Sequence, residues 1–268
     1  MACFSHVLQT PEPHGHFVQL YDRDAGLLSK NVAHYLSEGL KRDEGAVIIA
    51  TPQHRDAFVL ELEKLGVNTE QAVSESRLLL LDAQRTLGEF MIEGQPDWER
   101  FERVVRAAMS TVQAGGRARL RAYGEMVGIL WTAREYSAAI RLEEFWNKLL
   151  QGGGFTLFCS YPIDIFAKDF QISGVDALLS DHTHLISNGA DESLESAISR
   201  AMDERLGHQA HGLRLLIKAN YRPSWAVLPK AEGSILWLRS NLPHQAEEIL
   251  SLARQYYRAS EPVGAFSS

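Results

Sequence analysis

Cysteine is scarce: Cys3 and Cys159 are the only two in 268 residues, which excludes the disulfide framework of a small secreted scaffold. Cys159 lies in an apolar run and reads as a small buried hydrophobe. Long apolar runs are also missing. None approaches the ~18 residues of a membrane span. The start, MACFSHVLQTPEPHGH, lacks the basic and apolar regions of a signal peptide. The expectation is a soluble protein of a reducing cytoplasm. Positive charge is in deficit, with a net charge of −7 and a pI near 5.8. That argues against a nucleic-acid surface spread over the chain, so neither nucleic acid nor membrane is expected as a direct partner. Catalytic signatures are absent too: there is no Gly-x-Ser-x-Gly and no His-Glu-x-x-His. No catalytic residue, no cofactor and no enzymatic activity are therefore assigned.

What is present is a globular composition, 45% hydrophobic and 23% charged, which excludes wholesale disorder and low complexity. Apolar runs and helical periodicities alternate along the chain. Residues 1–15 are polar, contain Pro11, Pro13 and Gly15, and read as a flexible lead-in. The run from His16 to Tyr21 reads as a strand. Leu28, Val32, Tyr35, Leu36 and Leu40 then mark one face of a helix. The uninterrupted Ala46–Ala50 suits a strand buried on both faces of a parallel sheet. Thr51-Pro52 starts a helix, with Thr51 as N-cap. Leu78–Leu81 is a third strand. Asp97 caps a helix that Gly115-Gly116 stops. Arg119–Tyr123 is a fourth strand with charged alternate residues, and one helical stretch runs on to Leu150. Phe155–Cys159 is a fifth strand, ended by Pro162.

Strand–helix alternation repeated four times implies an α/β fold: a three-layer, mostly parallel sheet with helices on both faces, spanning residues 16–187. Residues 188–268 read as an all-helical C-terminal extension, with helices over Glu192–Leu206, Gly212–Asn220, Ala231–Arg239 and His244–Ala259.

Ligands of open parallel sheets sit beyond the carboxyl ends of the strands. Those ends carry Tyr21, Asp22, Thr51, Asp82, Tyr123, Glu125, Ser160 and Tyr161, and His16 stands just ahead of the first strand. These nine residues are the candidate ligand-binding set, although Asp and Thr at such positions also serve as helix caps. The first strand-to-helix turn reads Asp22-Arg23-Asp24-Ala25-Gly26-Leu27-Leu28-Ser29-Lys30-Asn31. It has one glycine, Asn31 where a P-loop needs Ser or Thr, and two aspartates where phosphate would approach. Ten histidines include the pairs His14/His16, His182/His184 and His208/His211. None has the complementary Cys or carboxylate spacing of a zinc motif, so no metal site is assigned. His16, His182 and His184 are the ones to test. Glu143 and Glu144 read as solvated or paired helix residues.

Several segments together resemble the MEDS family, the methanogen/methylotroph sensory domain of a dichloromethane-responsive regulator and of many bacterial histidine kinases. They are His16–Asp22, Glu38–Ile49, Arg119–Val127 with Leu130-Trp131, Leu142–Asn147, Phe158–Pro162 and Asp181–Ile186. The resemblance implies a RecA-like fold that has lost its phosphate loop, and a sensory role toward small hydrocarbon derivatives. By position His16, Tyr123, Glu125, Trp131 and Trp146 match family motifs, the two tryptophans reading as core packing. The kinase core and helix-turn-helix that often accompany such domains are not evident, so output through binding is expected.

The leading expectation is a sensory protein of bacterial signal transduction, as in transcription regulation. It would bind a small molecule at the strand ends and signal to a protein partner through the helical extension. The apolar set of that extension (Ile235, Leu236, Leu238, Ile249, Leu252, Tyr256) suits either a homodimer or packing back on the parent domain. The alternatives are a RecA-like nucleotide-binding ATPase using Glu125 and Lys30, and a non-catalytic regulatory scaffold.

Overall fold

Helix and strand alternate from the beginning of the chain in a computed structural model that describes residues 2–22, 25–168, 170–187, 191–220 and 227–260. In chain order the elements are α1 (Ala2–Gln9), β1 (His16–Leu20), α2 (Gly26–Lys41), β2 (Gly45–Ala50), α3 (Pro52–Lys64), α4 (Thr69–Ser74), β3 (Leu78–Asp82), α5 (Ala83–Gly88), β4 (Met91–Ile92), β5 (Gln95–Pro96) and α6 (Trp98–Gln113). They continue with β6 (Leu120–Gly124), α7 (Met126–Thr132), α8 (Tyr136–Gln151), β7 (Phe155–Tyr161), α9 (Ile172–Ser180), β8 (His184–Ile186), α10 (Asp191–Leu206), α11 (Gln209–Asn220), α12 (Lys230–Asn241) and α13 (Pro243–Ser260).

Six strands form one sheet in the order β3-β2-β6-β7-β1-β8, with every pairing parallel. The short β4 and β5 pair only with each other, antiparallel. β1, β2, β6 and β7 are buried along their whole length, as expected of strands covered on both faces. On one face Phe17, Ile48, Tyr123 and Phe158 pack with apolar residues of α2 and α3. On the other, Val18, Ile49, Ala122, Leu157 and Cys159 join a cluster that runs through α5–α8 and on into α9, α10, α12 and α13. The apolar set of the extension therefore packs back on the sheet domain. Arg239 of α12 reinforces this docking by donating to the main-chain oxygens of Ile165, Phe166 and Phe170. Among the described residues no helix is long and apolar enough to cross a membrane.

Two expectations change. First, the lead-in contains helix α1, with Leu8 buried against α2. Arg121 explains it: this side chain, 1% exposed inside central strand β6, donates to the main-chain oxygens of Leu8 (2.7 Å) and Gln9 (3.0 Å) at the end of α1. It also bonds the Tyr35 oxygen at 2.8 Å and pairs with Glu44 at 2.6 Å. A cation in a buried strand is thus fully paired, and a basic group meets a helix C-terminus where its carbonyls lack partners. Second, the helical stretch ending at Leu150 is two helices, broken where Arg134 takes φ +63°. The sheet also gains β8, which pairs with β1 and forms one of its edges.

Candidate functional site

The carboxyl ends of β1, β2, β6 and β7 converge on one polar network. Glu125 follows β6 directly and is 3% exposed. Its Oε1 accepts the Thr51 main-chain N–H, and its Oε2 faces His54 Nδ1 at 2.5 Å. The Tyr123 hydroxyl donates to Glu125 Oε2 at 3.0 Å and lies 2.6 Å from Ser160 Oγ on β7. Burial alone would raise the Glu125 carboxyl; His54 and the Thr51 N–H outweigh it and hold the group below its ordinary 4.5. Burial, with the nearby Glu125 charge, pushes the Tyr21 and Tyr123 hydroxyls up, so both stay protonated donors.

In front of this network lies a cavity of about 600 Å³, lined by Tyr21, Asp22, Ala25, Gly26, Ser29, Gln53, His54, Ala57, Pro162 and Asp164. The Tyr21 ring stands edge-on to His54 at 5.5 Å and forms an aromatic wall. Asp22 and Asp164 lie close together in this lining, and one nitrogen of Arg254 of α13 reaches both, at 3.3 Å and 2.6 Å. The helical extension thus touches the rim of the cavity at the strand ends. Lys30 is exposed on α2 and does not line it; Arg23 and Asp24 of the same turn lie outside the described residues.

The nine candidate residues divide. Tyr21 and Asp22 line the cavity, while Thr51, Tyr123, Glu125 and Ser160 form the network behind it. Asp82 is a helix cap: its Oδ1 accepts the Arg85 N–H at 2.7 Å, and it ends the edge strand away from the cavity. His16 and Tyr161 point to the opposite face of the sheet, into a buried cluster with Glu143, Cys159 and His182. His184 leaves that cluster and packs on Phe17. His54, absent from the candidate set, sits at the centre of the network; it lies one turn after a strand end, three residues from Thr51, and that spacing was its sequence signal. Trp146 is core, edge-on to Phe101 at 5.0 Å, and Trp131 packs on Tyr161 at 5.5 Å.

Glu143 is not solvated. It is fully buried on α8, accepts the Tyr161 hydroxyl at 2.6 Å and faces both His16 and His182 at 3.4 Å. Burial opposes its ionisation, but His182, with His16 and the Tyr161 hydroxyl, brings it below the ordinary carboxyl range. His182 is raised in return, its contact with Glu143 overriding burial. Burial, with the neighbouring His182, lowers His16 to about 3. Burial, with Glu143, holds Cys159 as a thiol in this arrangement.

A second cavity, about 720 Å³, lies among α10, α11 and the start of α12, lined by residues such as Ile198, Met202, Ile217 and Leu228. Its lining mixes these apolar side chains with the charged Glu195, Arg214, Lys218 and Lys230.

Comparison with curated protein sequences finds no match. The family model described as "MEthanogen/methylotroph, DcmR Sensory domain" matches residues 15–183, which covers β1–β7, the strand-end cavity and the buried His–Glu–Cys cluster but not the edge strand β8 or α10–α13. The chain belongs to the MEDS family of sensory domains.

Proposed function

We propose that the protein is a ligand-responsive signalling module in which a small, uncharged or cationic organic molecule enters the strand-end cavity and α13 carries the response. The supporting observation is Arg254, which joins α13 to Asp22 and Asp164, two carboxylates of the cavity lining. A ligand group that competes for either carboxylate changes the hold on α13, and only such differential contact shifts a conformational equilibrium. The cavity volume suits a small ligand. The Tyr21 wall supplies apolar contact, and His54 with Glu125 behind it supplies hydrogen bonding. This cavity is favoured over the one among α10–α12 because it lies inside the sensory-domain match.

The reading includes a RecA-like ancestry in which the loop after β1 no longer holds phosphate. Asp22 and Asp164 flank the place where phosphates would approach, and Lys30 stands outside it. Non-enzymatic output through a protein partner follows from the same reading. The test is a thermal-shift panel of short-chain haloalkanes, alcohols, diols, aldehydes and amines, beside magnesium ATP, followed by hydrogen exchange on α13. A saturable shift from one organic class, with altered α13 exchange, is expected. A shift from magnesium ATP alone, or binding that leaves α13 exchange unchanged, overturns the reading.

A further inference from the structure

On the face of the sheet opposite the Tyr123–Ser160 network, four electron-pair donors converge from four separate elements. His16 opens β1, Cys159 lies in β7, Glu143 lies on α8, and His182 stands in the turn between α9 and β8. All four are buried, and their donor atoms lie within 4.8 Å of one another. His16 Nε2 is 3.4 Å from Cys159 Sγ and 3.4 Å from Glu143 Oε2. His182 Nε2 is 3.4 Å from Glu143 Oε1, and Cys159 Sγ is 3.9 Å from Glu143 Oε2. A tetrahedral ion with bonds of about 2.0–2.3 Å sets ligand–ligand edges of about 3.3–3.8 Å, so the three 3.4 Å spacings fall in that range, and the wider ones, up to 4.8 Å, would close on loading.

The outer contacts fix the orientation of both rings. His16 Nδ1 is 2.9 Å from Asn147 Oδ1 and 2.9 Å from the Asp181 main-chain oxygen, both acceptors. Asn147 is itself oriented by donating to Asp181 Oδ1 at 3.0 Å. His182 Nδ1 is 2.8 Å from the Leu178 oxygen. Each ring therefore carries a proton on Nδ1, and in the neutral ring each Nε2 turns a bare lone pair inward. This is how metal-binding histidines are held. Tyr161, donating to Glu143, orients the carboxylate in the same way. His182 Nε2 is buried and faces Glu143 Oε1 at 3.4 Å without a well-formed hydrogen bond. A buried nitrogen left in that state carries a desolvation cost that an ion at the centre removes.

We propose that His16, Glu143, Cys159 and His182 form a closed, four-coordinate site for a divalent transition metal, with zinc as the fitting ion. The mixed nitrogen, sulfur and oxygen set suits zinc. A thiolate, a carboxylate and two neutral imidazoles around a divalent cation sum to zero, which is the condition for burying charges without a large penalty. Binding forms four metal–ligand bonds and expels to solvent the Cys159 thiol proton and any proton held between His182 and Glu143. No electron is transferred. With all positions taken by protein, the ion is structural: it ties β1, β7, α8 and the turn before β8 together, and loading is coupled to folding.

The test uses the full chain without an affinity tag, purified with zinc and assayed for bound metal. About one zinc per chain is expected. The chain refolded with cobalt should show the visible bands of a tetrahedral ion and a thiolate-to-cobalt charge-transfer band. Cys159→Ser should lose the charge-transfer band, whereas Cys3→Ser should keep it. Zinc added to the metal-free chain should raise the melting temperature. The wild-type measurements stand even if Cys159→Ser fails to fold. A folded chain that holds no zinc, gives no tetrahedral cobalt spectrum and melts identically with and without zinc overturns the site, leaving a proton between His182 and Glu143 as the occupant.

Discussion

Glu125 shows what one residue does when a strand end places it out of water. Its carboxylate is held by the Thr51 N–H, the Tyr123 hydroxyl and His54. Its folded-state pKa lies below the ordinary 4.5, so its stabilisation is fully present above that value and is lost as pH falls through the folded value. Glu125→Gln removes the charge-assisted contacts and should cost about 2 kcal/mol near neutral pH. Urea unfolding of both proteins at about pH 7 and about pH 4 checks this, because the gap between them should narrow in acid. A gap independent of pH would deny the carboxylate its role. The residue was legible from sequence because it follows a strand. His54 carried only the weak signal of standing one turn after a strand end; the meeting of β2 and β6 in the sheet is what brings it to Glu125.

At the scale of elements, the strands were legible where apolar residues run without interruption, as in Ala46–Ala50 and Leu78–Leu81. Leu120–Gly124 was harder to read, because Arg121 resembles a solvent-facing position until α1, α2 and Glu44 close around it. Glu143 misled for the opposite reason. It stands four residues after Ala139 and three before Trp146, on the inward face of α8, and helical spacing alone would have placed it there. What it meets was hidden, since His16, Cys159 and His182 come from distant parts of the chain.

The packing of α2 against β6 gives a sharper prediction. A methyl group on Gly39 would stand 2.7 Å from Arg121 Cδ and Nε and 3.0 Å from Glu44 Oε2. Arg121 has no room to yield without releasing its main-chain partners. Gly39→Ala gains about 1 kcal/mol of helix propensity and should lose more through overpacking, for a net destabilisation of about 1–2 kcal/mol. Gly212→Ala, in α11 with open space around it, should instead be neutral or stabilising by up to about 1 kcal/mol. Denaturation midpoints of the two variants measured side by side should move in opposite directions.

The whole molecule is held by an apolar cluster that ignores the end of the family match. Leu157 of β7, Phe170, Leu178 of α9, Ile198 of α10, Ile235 of α12 and Ile249 of α13 all belong to it. The matched segment stops at residue 183, yet the surface beneath α10, α12 and α13 is core, and Arg239 supplies donors to three main-chain oxygens in that segment. A chain ended at residue 187 should therefore expose a large apolar patch and lose those hydrogen bonds together. It should bind a hydrophobic dye, associate at low concentration and unfold without a cooperative transition, whereas the full chain should melt in one step. Calorimetry with sedimentation of both chains separates the outcomes. A truncated chain that stays monomeric and melts cooperatively near the full-length temperature would show that the extension merely rests on the domain. The expected result makes the extension part of the fold instead: α13 places Ile249 in the shared core and Arg254 on the carboxylates of Asp22 and Asp164, so moving one end of this contact disturbs the other.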